Sequence, residues 1–349
     1  MVAKAPELRN LTSLRGIAAL MVAFFHFRYF LPKMPGWMDG EIIRESYVWV
    51  DFFFILSGFI LAYRYDSGTG HYGHFLRKRL ARIYPLYFVT FVVAVLVAAL
   101  KDHKAPDQWG SLLAHVFLVQ NWGYPFEPRW NYPAWSLSCE WAAYLVFPLF
   151  LFVCRKASAK TLVVWLLVAA LFCAHYWFCA NVVGGNIGNI NNYPLFRCFT
   201  EFALGMLGYQ IRKSWAQEGS KLCDFAQGLL LVLIFFSLNS KVSDFYFVFL
   251  SFFLILVASQ AKGPLTALLG SRPLYFLGEI SYSVYLNQIL LLIFFDTLVI
   301  HWWPSFGRWT AEVYFVLRIA ALLLVSTATY FFIERTGKRW MLSPKVVWR

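Results

Sequence analysis

This chain contains a succession of apolar stretches that are long enough to cross a lipid bilayer. A helix needs about 20 mostly apolar residues to span the hydrocarbon core. Apolar residues make up 60% of the chain, charged residues 14%, and the mean hydropathy is +0.58. A soluble domain carries charge on about a quarter of its residues, so too little charge is present here to cover a surface in water. The sequence therefore predicts an all-α, polytopic membrane helix bundle in a lipid bilayer.

About ten stretches fit a transmembrane helix by length and composition. They lie near residues 10–31, 47–63, 83–100, 133–153, 161–179, 194–211, 225–239, 245–260, 276–299 and 311–333. A further stretch, 111–121, is short and ends in a polar turn sequence, so we expect a re-entrant or partial segment there. No linker and no internal repeat divides the chain, which predicts a single transmembrane domain over residues 1–349.

Lysine and arginine gather on one side of these stretches. The positive-inside rule places such loops in the cytoplasm. If 111–121 does not cross, the basic clusters at 77–82, 154–160 and 335–339 fall on the same side as the N-terminus. Both ends of the chain are thus expected inside. The same asymmetry explains the formal net charge of +13, so this charge does not indicate nucleic acid as a partner.

The six cysteines show no CxxC pair and no spacing typical of a metal site. Most of them lie in or beside apolar stretches, where we expect buried free thiols. The sequence predicts no metal and no permanently bound cofactor.

Ionisable residues inside a membrane span are costly, so each is a candidate functional group. In the first stretch, Arg15 and His26 are eleven residues apart, which places them on one helix face and separates them by roughly 16 Å along the axis. Small residues lie between them, and these let another helix or a slender ligand approach closely. The alternative is that His26 only forms a structural hydrogen bond to a neighbouring helix.

Two carboxylates are expected at a depth similar to that of His26. Asp51 opens the second stretch and Glu140 lies in the fourth. A carboxylate beside a histidine raises its basicity and fixes its tautomer, so either one could orient His26. Arg197 and Glu201, at positions i and i+4 of another stretch, are expected to form a structural ion pair.

A basic run from Arg77 to Arg82 stands at the expected inner surface. For Arg77 and Lys78 we favour a role in setting the topology. Arg79 and Arg82 are one helical turn apart on one face, and that geometry suits a clamp for the phosphates of an anionic cytosolic ligand.

Taken together, these residues resemble the motifs of acyltransferase family 3, membrane proteins that O-acylate extracytoplasmic glycans. The resemblance runs in order from about residue 8 to residue 340. It rests on Arg15 with His26, Val50–Phe59 ending in Ser-Gly-Phe, Arg79 with Arg82, Trp135-Ser136-Leu137 with Glu140, Ser281–Leu286, and Phe332-Ile333-Glu334-Arg335. Two positions depart from the family pattern: Gln288 stands where members often have histidine, and Thr336 where they often have proline.

The resemblance implies a transferase that uses a cytosolic acyl-CoA donor, most often acetyl-CoA, as a co-substrate. The implied acceptor is a hydroxyl of a polysaccharide or a lipid-linked sugar, the implied location is the bacterial plasma (inner) membrane, and polysaccharide-assembly machinery is an expected partner. Some members carry a C-terminal extracytoplasmic esterase-like domain. This chain is expected to have none.

Within such an enzyme, Arg79 and Arg82 would hold the phosphates of CoA, and Arg15 would lie near the pyrophosphate or the pantetheine arm. The arm would extend between the helices towards His26. That residue would act as a general base or carry the acyl group briefly.

Other residues are expected around the reacting atoms. Glu140 or Asp51 would orient His26, and uncharged donors would stabilise the oxyanion. The candidates for the acceptor side and the oxyanion are Trp135, Ser136, Ser138, Asn287 and Gln288.

Two other functions fit the same composition. Buried His, Glu, Asp and Arg side chains also describe a proton-coupled secondary transporter of a small anionic or sugar-like solute, although no inverted repeat is evident. The second alternative is a non-catalytic lipid or glycan scaffold, which would not require His26.

Overall fold

The computed structural model describes residues 6–30, 36–102, 109–123, 130–158, 160–183, 193–215, 219–240, 243–294 and 311–343. Regular structure in these ranges is helical, apart from an isolated bridge between Ser220 and Ala261, so the prediction of an all-α chain is confirmed there. The α-helices are α1 (Arg9–Phe30), α2 (Glu41–Arg44), α3 (Trp49–Arg64), α4 (Tyr72–Asp102), α5 (Trp109–Val116), α6 (Trp135–Ala157), α7 (Thr161–Asn181), α8 (Pro194–Ser214), α9 (Lys221–Asn239), α10 (Asp244–Ala258), α11 (Pro264–Leu269), α12 (Arg272–Glu279), α13 (Ser281–Phe294), α14 (Ala311–Thr329) and α15 (Thr336–Leu342).

Each of the ten predicted spans contains a helix. Seven of the described helices are long and apolar enough to cross a membrane, and α12 with α13, bent by 64° at their junction, adds an eighth if the pair forms one span. The predicted spans at α8 and α10 fall outside that set, because α10 has only 15 residues and α8 is less apolar. Ten crossings with both ends inside stay a prediction. Residues 31 and 295–299 of the predicted spans lie outside the described ranges.

The 111–121 stretch forms a short helix followed by a turn. α5 has eight residues, a rise of about 12 Å, whereas the hydrocarbon core is about 30 Å thick. After it, Leu118 adopts a positive φ of 58°, and the Ser138 hydroxyl donates to the Leu118 carbonyl at 2.9 Å. This geometry agrees with a partial segment rather than a span.

Glycines allow two helix pairs to approach backbone to backbone. A Cβ on Gly58 of α3 would lie 2.0 Å from the Phe202 carbonyl oxygen, and one on Gly205 of α8 would lie 1.9 Å from that of Ile55. A Cβ on Gly278 of α12 would likewise lie 2.0 Å from the Thr12 carbonyl oxygen of α1. Small residues at such crossings are typical of membrane bundles, so the glycine of the Ser-Gly-Phe motif is a packing residue.

The C-terminal helix packs along the first half of α4. A π-helical turn, Tyr330–Arg335, joins α14 to α15. From there, Gly337 packs against the Pro85 side chain, and the Arg77 guanidinium donates to the carbonyls of Met341 and Ser343, both at 2.9 Å. Two segments far apart in sequence therefore meet beside Arg82.

Candidate active site

His26 lies near the C-terminal end of α1, and its tautomer follows from its neighbour. The imidazole Nδ1 is 3.0 Å from the Val22 carbonyl oxygen. Because a carbonyl only accepts, Nδ1 carries the proton and Nε2 keeps a free lone pair. The residue as a whole is half-buried. α1 is continuous from Arg9 to Phe30, which confirms that Arg15 and His26 share one helix.

Gln288 of α13 lies beside His26. It lies close enough to interact with the imidazole, while its amide nitrogen donates to the Tyr285 carbonyl at 3.0 Å. Its buried Oε1 has no hydrogen-bond partner in the described part of the chain. A buried amide oxygen is costly to leave unpaired, so this atom suits a donor on the protonated imidazole of His26 or on a ligand.

Asp51 has a different partner from the one expected. Arg197 holds it in a two-point ion pair, with Nη2 at 2.8 Å from Oδ2 and Nε bonded to Oδ1. Asp51 shares a face of α3 with Ile55 and Gly58, and that face is the one packed on α8. The expectation that Asp51 orients His26 is therefore not met, because helix packing directs the carboxylate towards α8.

Arg197 is the centre of a network that reaches α7. Its Nε lies 4.0 Å from Glu201 Oε1, and His175 Nε2 lies 3.8 Å from the same oxygen. The expected Arg197–Glu201 pair is thus present, but as the longer of two contacts. The indole of Trp135 lies under the guanidinium at 5.2 Å. We call Asp51, His175, Arg197 and Glu201 the paired network; sequence reasoning missed His175.

Glu140 also has partners other than His26. The Ser57 hydroxyl donates to its Oε1 at 2.6 Å, and the Tyr144 hydroxyl donates to the same atom. Glu140 lies five residues into α6, so it is about 7 Å along the axis from Trp135. Among the described residues, no contact joins Glu140 to His26, and its catalytic role stays a prediction.

The Ser57–Glu140–Tyr144 group leads to Arg79. The Arg79 guanidinium lies 6.0 Å from the Tyr144 ring, 5.7 Å from Tyr65 and 6.0 Å from Phe75. Stacking on aromatic rings holds a guanidinium in place while leaving its N–H groups free for a ligand. The predicted phosphate clamp therefore has a preorganised member in Arg79.

Arg15 braces the bend between α12 and α13. Its Nε donates to the Ser281 hydroxyl at 3.0 Å and its Nη2 to the Gly278 carbonyl at 2.7 Å. A guanidinium has five N–H groups, so several are left for a ligand. Arg15 also interacts electrostatically with Arg82, which places two of the three predicted cofactor-binding arginines together.

Three charged residues at this end were missed as site residues. Arg64 interacts with Arg79 and Arg82, and Lys338 interacts with all three of these arginines. Glu334 lies beside Arg82 and Lys338 and accepts a hydrogen bond from Ser283 at 3.1 Å. The signal in the sequence was the i, i+4 spacing of Glu334 and Lys338, which puts both on one face. We call Arg15, Arg64, Arg79, Arg82 and Lys338 the cationic cluster.

The predicted acceptor residues do not all converge. Ser136 shares a 2.8 Å hydrogen bond with the Tyr285 hydroxyl, one turn of α13 from Gln288. Ser138 anchors the turn after α5, and Asn287 donates to the Thr329 hydroxyl at 2.8 Å. Ser136 and Gln288 therefore lie on the side of His26, whereas Ser138 and Asn287 are bonded elsewhere in the structure.

Comparison with known proteins gives one family and several relatives. A family model described as an acyltransferase domain matches residues 8–333. The acyltransferase MdmB of Streptomyces mycarofaciens is 38% identical over 46% of this chain and 44% of its own length. The O-acetyltransferase OatA of Staphylococcus aureus is 22% identical over 94% of this chain and 56% of its own length.

A putative acetyltransferase, ORF330 of Acidianus two-tailed virus, is 27% identical over 81% of this chain and 82% of its own length. The chain spans about half the length of the first two relatives. No solved structure matches.

Proposed function

This chain belongs to acyltransferase family 3, and on that premise we propose that it is a membrane-embedded O-acyltransferase. It moves an acyl group, most often acetyl, from cytosolic acyl-CoA to a hydroxyl of a polysaccharide or a lipid-linked sugar. The observation that carries this proposal is the arrangement on α1: a cationic cluster around Arg15 near one end and the free Nε2 of His26 near the other. The similarity to a relative that is named an O-acetyltransferase supports the proposal.

The cationic cluster supplies what a CoA donor requires. Its phosphates need several N–H donors and positive charge, and Arg15, Arg79 and Arg82 provide both. Acetyl-CoA is a co-substrate here, with no permanently bound cofactor. The roughly 16 Å between Arg15 and His26 leaves room for the extended arm to bring the thioester to the imidazole.

His26 is the general base in this scheme. Its Nε2 removes the proton from the acceptor hydroxyl while that oxygen attacks the thioester carbonyl carbon. The tetrahedral intermediate then collapses as the C–S bond breaks, and the imidazolium returns the proton to the departing thiolate. The C–O bond formed replaces the C–S bond, so no further reactant is needed. The Val22 carbonyl keeps the ring in the right tautomer.

Gln288 is the best-placed uncharged group to assist. It lies beside His26, so its amide can bond either the acceptor hydroxyl or the developing oxyanion. Ser136 and Tyr285, joined to each other, line the acceptor side in this proposal. The acceptor comes from the outer face of the bacterial plasma membrane, and polysaccharide-assembly machinery delivers it.

The buried ionisable residues that best fit a transporter belong to the paired network. A proton-coupled carrier needs ionisable groups that change partners during transport. Asp51 and Arg197 are buried and bonded to each other at two points, which suits a structural role.

The test measures free CoA released from acetyl-CoA by the purified protein in nanodiscs, with and without candidate glycans. We expect release that requires a glycan and falls by about 10²- to 10⁴-fold in His26→Ala, the usual contribution of a general base. His71→Ala, which alters an exposed histidine, is the matched control and retains the activity. A folded protein that releases no CoA with any donor or glycan would favour the transporter.

A further inference from the structure

The cationic cluster contains more positive charge than its neighbours neutralise. Five basic side chains lie together there, and the carboxylates that act most strongly on Arg15, Arg64 and Lys338 are Glu7, Glu140 and Glu334. Glu140 is already engaged by Ser57 and Tyr144. Like charges held together inside a protein repel strongly, so this arrangement calls for an anionic ligand.

Lys338 joins the cluster because of how the C-terminal helix docks. Gly337 touches Pro85, and Arg77 is bonded to the carbonyls of Met341 and Ser343. These contacts bracket Arg82 on α4 and Lys338 on α15 between them. The π-helical turn before α15 is a feature often found at functional sites, and it holds Glu334, which accepts from Ser283. Lys338 is therefore held beside the predicted phosphate clamp by tertiary packing.

The side chains of the cationic cluster differ in how far they are exposed. Arg64 and Lys338 are exposed, whereas Arg15, Arg79 and Arg82 are half-buried. His26 lies farther along α1 than Arg15. The thioester end of a donor bound at Arg15 therefore points towards His26, away from the exposed pair. The exposed pair consequently meets the end of the donor that is farthest from the thioester. In coenzyme A that end is an adenosine that carries a 3′-phosphate in addition to the pyrophosphate.

We propose that Arg64 and Lys338 form a subsite for this terminal phosphate and make the protein select donors that carry it. The proposal rests on the proposed acyl-CoA-dependent function and adds its donor specificity. Arg79 and Arg82 then bind the pyrophosphate, and the exposed pair binds the phosphate on the ribose. A charge-assisted contact of ordinary strength corresponds to a discrimination on the order of tenfold.

The experiment compares acetyl-CoA with acetyl-3′-dephospho-CoA, by kcat/KM in nanodiscs of zwitterionic lipid. We expect the wild-type protein to prefer acetyl-CoA by about tenfold or more. Lys338→Met and Arg64→Gln each bring the ratio towards one, because they slow the reaction of acetyl-CoA and leave that of the dephospho donor nearly unchanged. Arg339→Met removes a positive charge next to Lys338 on the same exposed helix and keeps the wild-type ratio.

A binding measurement separates this proposal from the proposed function. Calorimetry with CoA and 3′-dephospho-CoA needs no acceptor and no turnover. Tighter binding of CoA that disappears in Lys338→Met supports the subsite even if no glycan is acylated. Equal affinity of the wild-type protein for the two ligands, or no affinity for either, overturns it.

An anionic lipid headgroup offers the same chemistry from another source. We therefore repeat the binding in nanodiscs that contain phosphatidylglycerol. If Lys338→Met weakens only lipid binding, and CoA and its dephospho form bind alike in zwitterionic discs, the cluster is a lipid site and the proposal fails. If the preference for CoA is present in zwitterionic discs and is lost in Lys338→Met, the proposal stands.

Discussion

The two groups of charged side chains inside this bundle differ in how their charges are balanced. In the paired network, Arg197 donates hydrogen bonds to both carboxylate oxygens of Asp51. Glu201 lies within 4.0 Å of Arg197 and within 3.8 Å of His175 on α7. In the cationic cluster, five basic side chains lie together. The carboxylates that act most strongly on three of them are Glu7, Glu334 and Glu140, and the last is held by hydroxyl groups. In the first group the central arginine is bonded to a carboxylate at two points, whereas in the second the positive charges lie mainly beside one another.

The difference separates charges that neutralise one another from charges that we propose bind a ligand. A buried ion pair with good geometry costs much to break but has little left to offer a ligand. A cluster of like charges is unfavourable alone and becomes favourable when an anion binds. The same residue types therefore have opposite meanings in the two places, and the contrast can be tested one side chain at a time.

The largest effect is expected from breaking the paired network. Arg197→Met leaves Asp51 and Glu201 buried without a counter-charge, which should destabilise the protein by about 3–5 kcal/mol. Thermal unfolding in detergent measures the change. The double variant with Asp51→Leu removes the orphaned charge and should recover much of the loss. An unstable double variant with a stable Arg197→Met would refute the pairing.

The next effect concerns the cationic cluster. Removing a charge there should reduce the affinity for a ligand and not the stability of the protein. Arg82→Met relieves repulsion with Arg15, Arg64 and Lys338, so the melting temperature should stay the same or rise slightly. The affinity for CoA should fall by about 10- to 100-fold, since a charged contact to phosphate is lost. Calorimetry gives the affinity. A marked loss of thermal stability would place Arg82 with the structural charges.

A smaller effect, of opposite sign, is expected at Glu334. Glu334→Gln removes a negative charge from the cluster and keeps a side chain that can still accept from Ser283. The affinity for CoA should rise by about two- to tenfold, the scale of a partly screened charge interaction. Glu312→Gln, at the first turn of α14, is the control. A weaker affinity would mean that Glu334 itself positions the donor.

The smallest effect comes from salt. The KM for acetyl-CoA should rise several-fold between about 0.05 and 0.5 M ionic strength, because the exposed members Arg64 and Lys338 are screened. The melting temperature should change little, because the paired network is buried. Parallel titrations of KM and melting temperature check this. Salt sensitivity of stability alone would reverse the assignment of the two groups.

Much of this protein could be predicted from sequence by hydropathy and helical spacing. Every predicted span holds a helix, and Arg15 and His26 share the continuous α1. The partial segment at 111–121 also follows from its shortness. These features are local, since an apolar stretch in lipid must satisfy its own backbone by forming a helix.

The partners of the charged side chains could not be predicted in that way. Asp51 was expected beside His26 and pairs with Arg197, which is 146 positions away. Glu140 meets Ser57, and Lys338 meets Arg82. Spacing gives the depth and the face of a residue within its own helix, but it does not say which helix faces it.

Hydropathy, motifs and helical spacing thus predict a helical membrane protein of this family, with an arginine and a histidine on one face of its first helix. Which charges lie beside which others follows from the contacts between helices that are distant in sequence. The reason is that helix neighbours are set by close packing at positions such as Gly58 and Gly205. That packing places Asp51 against α8, while the docking of α15 on α4 places Lys338 near Arg82.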